Sequence, residues 1–302
     1  MLVKAYAKIN LTLDVFSLRP DGYHGVASVM QAISLHDTLS FSRTPQPGIA
    51  FTCDGPESAG IPLDATNLVY RAADAALVAA GRSESGEGVA IHLNKQTPSQ
   101  AGLGSGSSDA ASALAGVNHV LQLGLPAEKL HSLAASLGSD IPFFLMGGTA
   151  VARGRGEQLT VAPDAPPMWL VVVKPEDNVS TGWAYGQLDA DAERQSHRGT
   201  KRMEQAIAEA DRSLVISRMC NDFEGPVFKH FPKLAWLYDE MLMAGAQNAR
   251  LCGSGSALFA VAASEEDARR MANLLSARYP KTHVCRTLNR QESLPIPPAQ
   301  PA

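Results

Sequence analysis

The segment Pro98-Ser99-Gln100-Ala101-Gly102-Leu103-Gly104-Ser105-Gly106-Ser107-Ser108 sets three glycines at alternate positions, interleaved with serines. Glycine reaches backbone conformations that are costly for other residues. Turns of this kind aim several N–H groups into one concavity, and such concavities bind anions. A helix starting there adds free N–H donors and the positive end of its dipole. The chemistry implied is a grip on phosphate, with hydroxyls of Ser105, Ser107 and Ser108 available to phosphate oxygens or a magnesium ion. The run is not a P-loop, because GxxxxGK(S/T) is absent. It is not the dinucleotide GxGxxG either, because Ser107 stands three residues after Gly104. A flexible glycine-serine linker is the alternative on spacing alone. The immediate flanking by strand-like and Ala-rich segments favours the grip.

Other candidates are single residues. Asp140 stands in Gly138-Ser139-Asp140-Ile141-Pro142, a turn between apolar segments. A carboxylate there can accept the proton of an alcohol or close an Asx turn on its own backbone; spacing by itself favours the Asx turn. Lys8 shares a strand face with Tyr6 and Asn10 by alternation. On a half-buried strand such a lysine usually snorkels to the edge. Tyr23, His24 and Tyr185 offer flat faces that suit a nucleobase, but by residue type alone a turn or core placement is favoured.

The elements that must position these residues follow from periodicity. Alternation predicts strand over 5–16, with Arg19-Pro20-Asp21-Gly22 as a turn. Further strand is predicted over 26–42, 88–93, 149–153, 169–173 and 282–287, and two short strands over 249–262 around Gly253-Ser254-Gly255. Helical spacing predicts helices over 67–80, from about 107 to Gly124, and over 126–137, 203–216, 233–244 and 265–277. Residues 187–201 are polar and without period, and are expected to form an exposed, mobile connection. The four prolines of 291–302 predict a disordered tail.

Composition bounds the answer. The 302 residues are 45% apolar and 19% charged, with 26 basic and 30 acidic residues giving a net charge of −4. That length favours two domains. No basic footprint for nucleic acid is present. Cys53, Cys220, Cys252 and Cys285 form no CxxC and imply reduced thiols. No apolar run is long enough for a membrane span, and the first residues lack a signal-peptide pattern. A soluble, cytoplasmic protein is expected; bulk charge names no partner, and oligomeric state is not legible.

Residues 98–114 resemble the phosphate-binding motif of the GHMP kinase superfamily, roughly P-x-x-x-G-L-G-S-S-A-A. Leu251-Cys252-Gly253-Ser254-Gly255-Ser256-Ala257 is similar to that superfamily's C-terminal glycine loop, about 150 residues further on. Residues 5–13, followed by Arg19-Pro20-Asp21-Gly22-Tyr23-His24, resemble the branch whose substrate is 4-diphosphocytidyl-2-C-methyl-D-erythritol. The likeness continues through 137–144, 147–156, 179–185 and 221–224, and spans about 5–287. The Asp21–His24 element is its most discriminating part.

The resemblance implies an α+β, two-domain GHMP kinase fold. Residues 1–155 would be an ATP-binding domain resembling the second domain of ribosomal protein S5, and 156–290 a ferredoxin-like domain on the substrate side. It implies ATP-dependent phosphorylation of the substrate's 2-hydroxyl, in the non-mevalonate route to isoprenoid precursors, with Mg2+ held mainly by ATP. Asp140 would be the base, or would only orient the hydroxyl, with Lys8 paired to it. Residues 98–108 would bind the phosphates, and Asn67 and Lys95 the adenosine part. Tyr23, His24 and Tyr185 would cradle the cytosine, with Asn10 and Thr181 on the sugar alcohol or diphosphate. The chain departs from the pattern at Ala101 and Ser105, where glycine is common, so Ala101 is expected at negative φ. Another GHMP kinase, for homoserine, mevalonate or a sugar, and a catalytically silent nucleotide-binding homologue are the rival readings.

Overall fold

The structure, a computed structural model, describes residues 1–82, 86–191 and 198–296. The first half is built on a long antiparallel hairpin of β1 (Leu2–Leu18) and β2 (His24–Thr44). Val3, Ala5, Ala7, Ile9, Leu11, Leu13 and Val15 alternate along β1 and are all buried, one face of the strand on a core; from Ala7 to Val15 the polar residues of the other face are buried too. The hairpin turns where Pro20 and Gly22 predict it. The Arg19 amide donates to the Tyr23 carbonyl at 2.8 Å, and Gly22 takes φ 80°. Pairing with β2 slips between Tyr6 and Lys8 and again between Asn10 and Thr12. Such bulges re-aim side chains, here on either side of Lys8 and Asn10.

β3 (Ile49–Asp54), α1 (Leu68–Ala79) and β4 (Gly88–Asn94) follow. Next come α2 (Ser105–Val120), α3 (Ala127–Leu137), α4 (Ile141–Met146), β5 (Thr149–Arg153) and β6 (Gln158–Val161). The second half runs β7 (Trp169–Val173), α5 (Thr181–Ala190), α6 (Thr200–Ala208), α7 (Arg212–Ser217), β8 (Cys220–Asn221) and α8 (Glu224–His230). It ends with α9 (Pro232–Met243), β9 (Asn248–Leu251), β10 (Leu258–Ala262), α10 (Glu265–Ser276), β11 (Thr282–Arg286) and α11 (Arg290–Ser293).

Two sheets result. One is seven-stranded, ordered β3-β4-β2-β1-β8, with β5 on β2 and β6 on β5; it therefore draws strands from beyond residue 155, β6 up to Val161 and β8 at Cys220–Asn221. The other is antiparallel, ordered β11-β7-β10-β9. With helices between its first and second and its third and fourth strands, this is the ferredoxin-like arrangement. A core cluster joins the halves, with Ile9, Leu11, Val29 and Ile33 packed among Leu170, Val172, Met203 and Phe259.

Three expectations are corrected. The helix over 203–216 is two helices, because Ala210 takes φ 52° and the Asp211 side chain caps α7 by accepting from the Leu214 amide at 2.9 Å. The connection over 187–201 is ordered at both ends. Leu188 is buried in α5, and the amides of Gly199 and Thr200 donate to the Asp14 carboxylate at 2.8 and 2.9 Å; residues 192–197 lie outside the described residues. The tail begins as structure as well. Asn289 and Glu292 form a capping box, and the Arg290 guanidinium donates to the carbonyls of Met146, Gly147 and Thr149. Residues 297–302 lie outside the described residues.

Candidate active site

The two glycine segments meet. The Gly102 backbone is so close to Cys252 that a Cβ at Gly102 would lie 1.8 Å from the Cys252 carbonyl oxygen, and Gly102 holds φ +76°. The Ala257 amide donates to the Ala101 carbonyl at 3.2 Å, and the Lys8 amide to the Leu103 carbonyl at 2.9 Å. Gly104, at φ 68°, is the N-cap of α2, with no side-chain cap. The helix therefore starts inside the motif, two residues earlier than its spacing predicts. The Ser108 amide is the first to find a partner in the helix, donating to the Gly104 carbonyl at 2.9 Å. That leaves the amides of Ser105, Gly106 and Ser107 as the free donors of the first turn. Ala101 is not among the residues at positive φ, as expected from its Cβ; Gln100 takes that conformation, at φ 52°.

Lys8 sits where the two loops come together. Its Nζ donates to Asn10 Oδ1 at 2.8 Å and lies 3.9 Å from Asp140 Oδ2. Asn10 in turn donates to Ser28 Oγ at 2.7 Å, which donates to the Thr12 carbonyl at 2.6 Å. This buried chain fixes the amide so that its oxygen faces the lysine. Asp140 occupies the link between α3 and α4. It makes no side-chain cap bond to α4, so the Asx turn that spacing favoured does not form, and its carboxylate is 41% exposed. Lys8, Asn10 and Asp140 line a cavity of about 760 Å³ together with Gly102, Gly104, Ser107, Gly253 and Ser254.

The same cavity carries Tyr23, His24, Thr181 and Tyr185. His24, at the start of β2, is fixed through Nδ1, 2.9 Å from the Phe16 carbonyl, and through Nε2, 3.3 Å from Asp189 Oδ2. Its ring stacks on Tyr185 at 4.8 Å. Burial, and then the Asp140 charge, push the Tyr185 phenol up. Tyr23 is exposed, with the Arg155 guanidinium 4.7 Å from its ring centre. Thr181, in the first turn of α5, shares a hydrogen bond with Ser254 at 2.9 Å. Behind this wall, Asn221 donates to the carbonyls of Leu251 and Gly253 at 2.9 and 2.7 Å, holding the second glycine loop in place. A second cavity, of about 690 Å³, is lined by Ser99 and Gln100 of the first loop with Pro56, Glu57, Lys174 and Lys281.

Two predicted site residues are committed elsewhere. Asn67 caps α1, accepting from the Val69 amide at 2.8 Å and donating to the Pro62 carbonyl at 2.8 Å. Lys95 is fully buried, and its Nζ bonds Asp37 at 2.5 Å and Asp109 at 2.6 Å. That side chain cannot reach a bound nucleotide. Pro98 and Ser108 are buried as well. Conversely, Arg155 and Asp189 face the cavity without having been singled out. Asp189 carries no sequence signal. Arg155 lies in the 147–156 segment, whose two arginines among glycines were the available hint.

The family model for the GHMP kinases N terminal domain matches residues 67–148, and that for the GHMP kinases C terminal matches 203–281. The chain belongs to the GHMP kinases, and within them to the family of the 4-diphosphocytidyl-2-C-methyl-D-erythritol kinases. It is 43% identical to the kinase of that name from Moorella thermoacetica, over 95% of this chain and 99% of the relative. Identity to the Geobacter sulfurreducens kinase of the same name is 40%, over 92% and 95%. A crystal structure of 4-(cytidine 5'-diphospho)-2C-methyl-D-erythritol kinase superposes with a TM-score of 0.80 at 35% identity, covering 95% of this chain and 99% of that one. The L. major mevalonate kinase structure shares the fold, with a TM-score of 0.74 at 17% identity over 96% of each chain. Among the described residues no helix is long and apolar enough to cross a membrane.

Proposed function

We propose that the chain transfers the γ-phosphoryl group of ATP to the 2-hydroxyl of 4-diphosphocytidyl-2-C-methyl-D-erythritol, a step toward isoprenoid precursors. The observation that carries this is the Lys8–Asp140 pair, set where the two glycine loops meet, in a cavity that also carries Tyr23, His24 and Tyr185. Phosphoryl transfer asks mainly for positioning and charge stabilisation. The amides of Ser105, Gly106 and Ser107, with the α2 dipole behind them, would hold the phosphates. The nucleoside end would lie toward the second cavity, past Ser99 and Gln100, which takes the place assigned to Asn67 and Lys95.

Asp140 would accept the hydroxyl proton as the oxygen bonds to the γ-phosphorus and the bond to the ADP oxygen breaks. Lys8 would orient both the carboxylate and the attacking oxygen. Asn10 and Thr181 would contact the sugar alcohol and diphosphate, and Tyr23, His24 and Tyr185 the cytosine.

Among the described residues no cluster of three His, Cys, Asp or Glu side chains could hold a metal. Mg2+ keeps few protein ligands when phosphates are present. The Ser107 hydroxyl, on the cavity wall, is the protein group that would hold it. The ion would neutralise phosphate charge. The four unpaired cysteines suit a reducing cytoplasm.

A coupled ADP-release assay tests the reading. Turnover with the cytidine diphosphate substrate should exceed that with mevalonate, homoserine or galactose by orders of magnitude. A preference for any of those three, or release with none, overturns it.

A further inference from the structure

We infer that Asp189 makes the site choose cytosine over uracil, an inference that rests on the cytidine diphosphate substrate proposed above. Asp189 lies in the last turn of α5, with its carboxylate 48% exposed, on the wall of the cavity that holds Tyr23, His24 and Tyr185. Its Oδ2 is 3.3 Å from His24 Nε2. The other ring nitrogen faces the Phe16 carbonyl at 2.9 Å, and one ring face lies on Tyr185. The imidazole is therefore held along two edges and a face, and the carboxylate beside it is held in register with it.

A carboxylate is out of place where a ligand brings phosphates. Lys8, Arg155 and the α2 amides suit the anionic parts of the substrate, and Asp189 would repel them. It belongs where the ligand presents N–H groups. In a cytidine diphosphate sugar alcohol the hydroxyl to be phosphorylated goes to Asp140. Of the donors that remain, the ribose hydroxyls and the 4-amino group of the base, the amino group goes with the rings of Tyr23, His24 and Tyr185 beside which Asp189 stands, and carboxylates accept from it in other settings. Uracil presents a carbonyl oxygen at that position. Its lone pairs would face the carboxylate, leaving both groups unpaired, and sites built to pair a polar group reject analogues that cannot.

The test measures kcat/KM for the cytidine substrate and for its uridine diphosphate counterpart, with wild type, Asp189→Asn and Asp189→Ala. Asp189→Asn keeps an oxygen for His24 and can turn its amide to donate to the uracil carbonyl. The ratio of cytidine to uridine efficiency should fall about 10- to 100-fold in both variants, most in Asp189→Asn, with the KM for ATP unchanged. A carboxylate that merely braced His24 would be replaced by Asn with the ratio intact. A ratio that survives both substitutions in an active enzyme overturns the inference alone. Wild type without turnover on the cytidine substrate overturns the kinase reading and this inference with it.

Discussion

Asp140 is available for chemistry because no backbone group claims it. Most aspartates in helix-linking turns accept an amide hydrogen of the following turn. Here Ile141 and Pro142 open α4, and proline offers no N–H. The carboxylate is left facing Lys8 Nζ at 3.9 Å. Asp140→Ala should lower kcat by about 10²- to 10⁴-fold and leave the KM for ATP within about twofold; near-normal turnover would remove Asp140 from the mechanism. At this scale the motif, rather than residue type, pointed to Lys8, Asp140 and His24, which the fold brings to one cavity; type and spacing alone pointed to a snorkelling lysine, an Asx turn and a turn or core ring. The sequence was misleading for Lys95, because a lysine between a strand and a glycine loop gives no hint that two carboxylates, one from β2 and one from α2, converge on it. Asp189 was invisible for the converse reason: only the folded hairpin brings His24 to the end of α5.

At the scale of elements, the Lys95 cluster explains how the N-terminal end of α2, proposed to hold the phosphates, is held. Asp109 stands one turn past Ser105, and its Oδ2 meets Lys95 Nζ, as does Asp37 from β2. Asp37 also accepts the Gln96 and Thr97 amides at 2.6 and 2.7 Å, while Asp109 Oδ1 has no partner. Burial, opposed by Lys95 and reinforced by Asp37, pushes the Asp109 carboxyl up to about 8. The folded state thus keeps a proton that the unfolded chain releases near pH 4. The stabilisation tied to that proton is full below about pH 4 and is lost as pH rises through about 8. Melting temperature should therefore fall between pH 5 and 9 in wild type, and the fall should flatten in Asp109→Asn. An equal slope in both would show that Asp109 titrates elsewhere. The split of α6 from α7 belongs to this scale too. Apolar period ran across it unbroken; the one available signal was Asp211 as a cap, followed three residues later by Leu214.

Across the whole molecule, the site exists because the two halves touch backbone to backbone. Each glycine loop was legible alone, from glycine content and flanking periods. Their contact was not, because nothing local encodes the packing of β1 between them. Gly102→Ala tests that contact. It would place a Cβ against the Cys252 carbonyl at a φ disfavoured for L residues, with strain of about 1–3 kcal/mol before any clash. The variant should melt several degrees lower and bind ATP at least tenfold more weakly. Gly106→Ala, where a Cβ meets open space in the first turn of α2, should keep or slightly raise the melting temperature, because glycine in a helix costs about 0.5–1 kcal/mol relative to alanine. A Gly102→Ala protein as stable as wild type would mean that the loops part without cost.

β1 pairs on one side with β2, the next strand in the chain, and on the other with β8, at Thr12–Cys220 and Leu13–Asn221. During synthesis the first pairing can form almost as soon as it leaves the ribosome, while the second waits for about 200 further residues. The Lys8 end of that edge is covered once Leu103 has been made, but until β8 is made the edge at Thr12 and Leu13 is open, and open edges invite pairing with other chains. The nascent protein is thus exposed to aggregation along the strand that carries Lys8, and the part of its edge at Thr12 and Leu13 closes only in the last third of translation.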